Sequence, residues 1–111
     1  MTLKILSLDI ETAPAVVYAW GLFDQNVGLN QIVDPVRILC VAAKFLDEKK
    51  IHFFSEWDDG RAGMLQGIHD LMSQADVIMT WNGDRFDIPH LHREFLEAGM
   101  PPPAPSRNLD L

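Results

Sequence analysis

Residues 3–11 read LKILSLDIE, and this stretch decides how the rest of the chain is understood. Strand alternation places Leu6, Leu8 and Ile10 on one face and Ile5, Ser7, Asp9 and Glu11 on the other. Apolar residues on both faces mark a central strand, buried on both sides over most of its length. The run then ends in two acids. Asp9 and Glu11 are two apart, so both project from one face, with Cα atoms roughly 6.5–7 Å apart. Carboxylates closing an apolar strand are costly unless solvated, hydrogen-bonded or bound to cations. Their hard oxygen donors suit Mg²⁺ or Mn²⁺. Taken alone, D-x-E is more simply read as two solvated acids at a strand end.

Outward from this strand, residues 12–35 hold Pro14, Pro35 and two glycines and show no sustained period. A connection of that length is longer than most structureless loops, and such loops tend to carry function. Residues 36–46 form a β-rich apolar run, followed by Asp47-Glu48-Lys49-Lys50 and a second run at 51–55. Together they predict a β-hairpin. Met64, Leu65, Ile68, Leu71, Met72 and Ala75 recur at helical spacing and predict a helix over about 60–75, with Asp58 or Asp59 as its N-cap. Residues 76–81, DVIMTW, read as a buried strand. Ile88, Leu91, Phe95 and Leu96 form the apolar stripe of a helix over 87–98, with Asp87 at the N-cap position, Pro89 in the first turn and Gly99 as the stop. The PPPAP run at 101–105 excludes helix or central strand, and RNLDL then opens a further element. A hairpin joined to a β-α-β unit predicts an α/β fold, a mixed β-sheet with flanking helices.

Residues 81–87, WNGDRFD, join the end of a buried strand to the start of a helix. In open α/β sheets that strand end is where ligands bind. Asn82-Gly83 permits a sharp turn, and Asp87 beside the positive end of the helix dipole is favoured as the ion. A plain N-cap also accounts for Asp87 without any metal.

The two motifs together, D-I-E-T at 9–12 and N-G-D-R-F-D-I-P-H-L at 82–91, resemble the first two motifs of the DEDD, or DnaQ-like, 3′–5′ exonuclease superfamily. The second resembles in particular the exonuclease domains attached to family B DNA polymerases, where an Asn stands four residues before a Phe-Asp pair, as Asn82 does before Phe86-Asp87. The resemblance covers about residues 3–98. It implies a ribonuclease H-like fold, two divalent metal ions (Mg²⁺ or Mn²⁺), and hydrolysis of phosphodiester bonds at the 3′ end of single-stranded nucleic acid, with DNA as the preferred expectation. It implies that Asp9 bridges both metals, that Glu11 holds one, and that Asp87 helps position the other. Asn82, Phe86 and Thr12 fall at substrate-side positions, Phe86 as a packing residue beneath the site. The family's last motif, a helix with Tyr-x-x-x-Asp or His-x-x-x-Asp, has no counterpart after Asp87. On this reading residues 1–111 are the N-terminal part of the domain, incomplete at the C-terminus and lacking its final strand and Asp-bearing helix. Little activity is expected of this part alone, and self-association is expected through the face left uncovered. His90 and His92 lie two apart on a helix and face opposite ways, so they do not substitute. Asp110 follows too closely on the proline run to supply the missing ligand.

Composition narrows the alternatives. With 111 residues, 48% hydrophobic and 23% charged, the chain fits one globular domain. Its single cysteine, Cys40, excludes an internal disulfide and fits a reducing compartment. No apolar run approaches the roughly 20 residues that span a bilayer, and the first residues do not form a signal peptide, so the cytoplasm is expected. A net charge of −7 disfavours a protein that coats nucleic acid, but weighs less against a nuclease whose carboxylates hold cations. Trp20 and Phe23 in the long loop are read as anchors of that loop to the core, with stacking on a terminal base as the other reading. The rival to the enzyme is a catalytically inactive ribonuclease H-like nucleic-acid-binding or interaction module, distinguished by tolerance to loss of the carboxylates.

Overall fold

The computed structural model describes residues 3–111. The chain runs β1 (Ile5–Ala13), β2 (Val16–Val17), β3 (Ile32–Asp34), β4 (Arg37–Phe45), β5 (His52–Ser55), α1 (Glu56–Gln74), β6 (Val77–Thr80), α2 (Asp87–Glu97) and β7 (Arg107–Asp110). Five strands form one mixed sheet in the order β5-β4-β1-β6-β7, so β1 lies in the middle as its sequence predicts. β4 and β5 are the antiparallel hairpin, and β6 and β7 run parallel to β1. The whole is an α/β, ribonuclease H-like arrangement.

The register aligns the apolar positions. Leu6, Leu8 and Ile10 stand opposite Phe45, Ala43 and Val41, and all six are buried. Both helices lie over this one face, α1 contributing Met64, Leu65, Ile68, Leu71 and Met72, and α2 contributing Ile88, Leu91 and Phe95 to a single core. Fully burying each such side chain contributes roughly 1.5–3 kcal/mol. Burial of β1 on both faces is therefore not what forms. On the opposite face Ile5 and Ser7 are half-buried and Asp9 and Glu11 are exposed. Two helices sharing one core leave that second face uncovered.

The helix boundaries differ from the periodic reading for identifiable reasons. α1 starts at Glu56, where the Ser55 hydroxyl accepts from the Asp58 N–H and the Ser55 N–H donates to Asp59. Ser55 is thus the cap that Asp58 and Asp59 were expected to be. Gly60, at φ 69° and ψ 161°, breaks the first turn from the remainder. The regular helix then follows where the apolar spacing places it. In α2 Leu96 is exposed, and the buried stripe instead includes two acids, Asp87 and Glu94.

Residues 12–35 are not wholly irregular. β2 and β3 pair, and Tyr18 and Gln31 exchange hydrogen bonds that close the base of an arm leaving the end of β1. Elements of two and three residues fall below what sequence periodicity resolves. The expectation that the final strand is missing is also corrected. Past the prolines, β7 pairs in parallel with β6, Val77 opposite Arg107 through Thr80 opposite Asp110. No helix among the described residues is long and apolar enough to cross a membrane.

A candidate metal centre at the end of the central strand

The parallel ladder between β1 and β6 covers Ile5–Ser7, so the edge of β1 beyond it is free for another donor–acceptor pair. Asp87 takes it. Its carboxylate accepts the Ile10 N–H at 3.2 Å, across 77 residues of sequence, and is itself buried. Ile10 lies between Asp9 and Glu11, so the first residue of α2 is pinned to the segment that carries both other acids. The N-cap of α2 is Phe86, not Asp87, and no side chain caps it. The plain-cap account of Asp87 therefore does not describe this residue. Its carboxylate crosses to another element.

That placement has an electrostatic cost. Burial, followed by the neighbouring Asp9 and Asp110 charges, pushes the Asp87 carboxyl above its ordinary range, while the hydrogen bond from Ile10 opposes the shift. A cation between these groups would relieve the repulsion, and the donors are the hard oxygens that Mg²⁺ and Mn²⁺ prefer. Among the described residues, no three His, Cys, Asp or Glu side chains stand close enough to enclose an ion. Asp9 and Glu11 are exposed and free to reorient. Mg²⁺ commonly binds through one or two carboxylates and keeps several waters, so this donor set fits such an ion without a closed cage.

The 81–86 turn is built around two residues. Asn82 adopts a left-handed backbone, φ 61°, and its carbonyl accepts from the Arg85 and Phe86 N–H groups. Gly83 is buried against Thr80 so closely that a Cβ there would land on the Thr80 side chain. The Gly83 carbonyl accepts from Ile88 and starts α2 in the required direction. Asn82 is exposed at the strand end. Phe86 is partly exposed rather than buried beneath the site, and stands edge-on to His90 with ring centroids 4.7 Å apart. Thr12 sits at a β-bulge, where the register jumps from Glu11 opposite Cys40 to Thr12 opposite Ile38. Bulges of this kind re-aim side chains at strand ends.

His90 is half-buried and His92 exposed. Burial and the nearby Arg93 lower the His90 pKa. Trp20 and Phe23 do not anchor their loop; each is 83% exposed. Asp110, set aside from the sequence, lies in the same neighbourhood. Its carboxylate faces the Asp84 N–H at 3.4 Å and adds to the charge around Asp87. The available signal was the short apolar alternation after the prolines, which a four-residue exposed strand makes weak. Cys40 stands opposite Glu11, and burial followed by the Glu11 charge raises its thiol pKa.

The RNase_H_2 family model, described as RNase_H superfamily, matches residues 6–111. The fold is similar to that of the family B DNA polymerase from the hyperthermophilic archaeon Pyrobaculum calidifontis, with a TM-score of 0.61 and 20% sequence identity. That similarity covers 91% of this chain and 12% of the polymerase chain. No match is found among curated proteins.

Proposed function

The chain belongs to the RNase_H_2 family of the RNase H superfamily, and from that premise we propose that it acts as a metal-dependent 3′–5′ exonuclease on single-stranded nucleic acid, DNA in the first instance. The observation that carries this reading is the Asp87 carboxylate held on the N–H of Ile10, the residue that separates Asp9 from Glu11 in the strand. A carboxylate buried at some electrostatic cost, with Asp9 and Asp110 adding to that cost, is the perturbed acid expected at a functional site.

When present, a pair of divalent ions supplies the charge that activates water and stabilises the departing 3′ oxygen of an in-line displacement. Asp9, Glu11 and Asp87 would hold them. The Ile10 N–H fixes one oxygen of the Asp87 carboxylate. Asn82 offers its exposed amide to the terminal nucleotide, and Thr12 lies on the bulge beside Glu11. Phe86 backs the turn through its contact with His90. A cytoplasmic setting suits the single free cysteine.

A 5′-labelled single-stranded DNA oligonucleotide incubated with the chain in Mn²⁺ tests the reading. Stepwise shortening from the 3′ end is expected to be slow, because residues 88–111 hold no Tyr-x-x-x-Asp or His-x-x-x-Asp, and to fall to background in Asp9→Asn or Asp87→Asn. Shortening indifferent to both substitutions would sink it. An uncut oligonucleotide, bound equally well by parent and variants, would favour the inactive binding module instead.

A further inference from the structure

We infer that Trp81 is the platform on which the base of the 3′-terminal nucleotide stacks, an assignment that rests on the nuclease reading above. Trp81 follows directly on β6, whose register places Ser7 opposite Met79. The parallel pairing ends at that step, and just past it Trp81 and Asp9 come to the same end of the sheet. The two side chains line one open pocket of about 450 Å³, together with Ser7, Met79 and Thr80. That volume lies within the range of small-molecule sites, about 300–1,000 Å³.

Trp81 is 78% exposed, although an indole gains more from burial than almost any other side chain. Its backbone is nevertheless fixed. Thr80 before it is buried, and the left-handed Asn82 and tightly packed Gly83 after it close the turn. An exposed aromatic face held on a rigid strand end loses little conformational freedom on binding. Trp20, Phe23 and Trp57 are also exposed, but none of them lines the pocket that holds Asp9.

Charge favours a base as the occupant of this surface. Asp9, Asp84, Asp87 and Asp110 surround the turn and outnumber its cation, Arg85, so the local balance repels a phosphodiester strand rather than attracting it. Attraction must come from bound cations at the phosphate and from uncharged contacts elsewhere on the nucleotide. Stacking on an aromatic ring is such a contact, and it accepts any base because every base has a π-face. With the scissile phosphate at Asp9, the wall of the same pocket formed by Trp81 is placed to take the attached base. The platform therefore gives end recognition with little sequence preference.

Binding of 5′-fluorescein-labelled decathymidylate, followed by anisotropy in Ca²⁺, tests the assignment. Trp81→Ala should weaken binding by about 5- to 100-fold, and Trp81→Phe should retain most of it. An oligonucleotide whose 3′-terminal residue is abasic should bind the parent about as weakly as the intact one binds Trp81→Ala. It should also show no further loss with that variant. If Trp81→Ala also lowers the melting temperature, the intact-versus-abasic comparison on the parent decides the matter without it. Equal affinity of the parent for intact and abasic ends would overturn the assignment. So would Ca²⁺-dependent binding that is lost in Asp9→Asn yet unchanged in Trp81→Ala, and that result leaves the nuclease reading standing. No Ca²⁺-dependent binding by the parent at all would overturn both.

Discussion

Two acids seven residues apart on α2, Asp87 and Glu94, face the sheet together, and each ends on a backbone N–H of a different strand. Removing the second is expected to loosen the helix that presents the first. Glu94 is 1% exposed; one oxygen accepts the Ile38 N–H at 2.6 Å and lies 3.3 Å from Arg93, and the other pairs with Arg61. In Glu94→Ala the fully buried Ile38 N–H is orphaned, which costs about 1–3 kcal/mol. Both guanidiniums are 37% exposed and can rehydrate, so solvent screening limits the loss of their pairing to about 1 kcal/mol. The total is about 2–4 kcal/mol, a fall in melting temperature on the order of 10–25 °C for a domain of this size. Glu94→Gln keeps an acceptor for Ile38 and should cost only about 1–2 kcal/mol. Urea unfolding of the three proteins measures this directly. A midpoint for Glu94→Ala equal to the parent's, or equal damage from Gln and Ala, would refute the argument that an orphaned N–H dominates.

Further outcomes are expected elsewhere. Asp87 has a native pKa raised by burial and then by Asp9 and Asp110, so ionising it destabilises the native state. That penalty is absent below the unfolded carboxyl pKa and complete once pH has risen past the native one. Asp87→Asn, which keeps an acceptor for Ile10, should therefore raise the melting temperature of the metal-free protein at neutral pH, with the gain vanishing in acid; a scan in EDTA that shows no gain at pH 7 would contradict this. Gly83→Ala should destabilise by at least about 1–3 kcal/mol in chemical denaturation, because the new methyl meets Thr80. Trp20→Ala and Phe23→Ala should each change stability by no more than about 0.5 kcal/mol, since both rings are already in solvent; a larger loss would mean the arm is packed.

How legible the molecule was in its sequence depended on the length and burial of each element. β1, β4 and the two helices announce themselves through alternation and helical spacing, because each sends several apolar side chains into the one core. β2, β3 and β7 have too few residues, and too little buried surface, to leave a pattern. Within the site, Asp9, Glu11 and Asp87 were found as residue types at strand and helix ends. The bond from Ile10 to Asp87 was not legible, because it links positions 77 apart through tertiary packing alone. Glu94 shows the opposite failure. An acid inside an apolar helix face looks like a break in the stripe until Ile38, Arg61 and Arg93 are seen around it. Trp81 read as the last apolar residue of a buried strand, yet it extends past the ladder into solvent.

If Asp9, Glu11 and Asp87 hold divalent cations together, Mn²⁺ must raise the melting temperature of the metal-free chain. A ligand that binds only the native state at about 100 times its Kd adds about 2.7 kcal/mol, roughly 10–20 °C here. A saturable rise of that order is expected in the parent, with most of it lost in both Asp9→Asn and Asp87→Asn. Equal rises in parent and variants, or none in the parent, would contradict it.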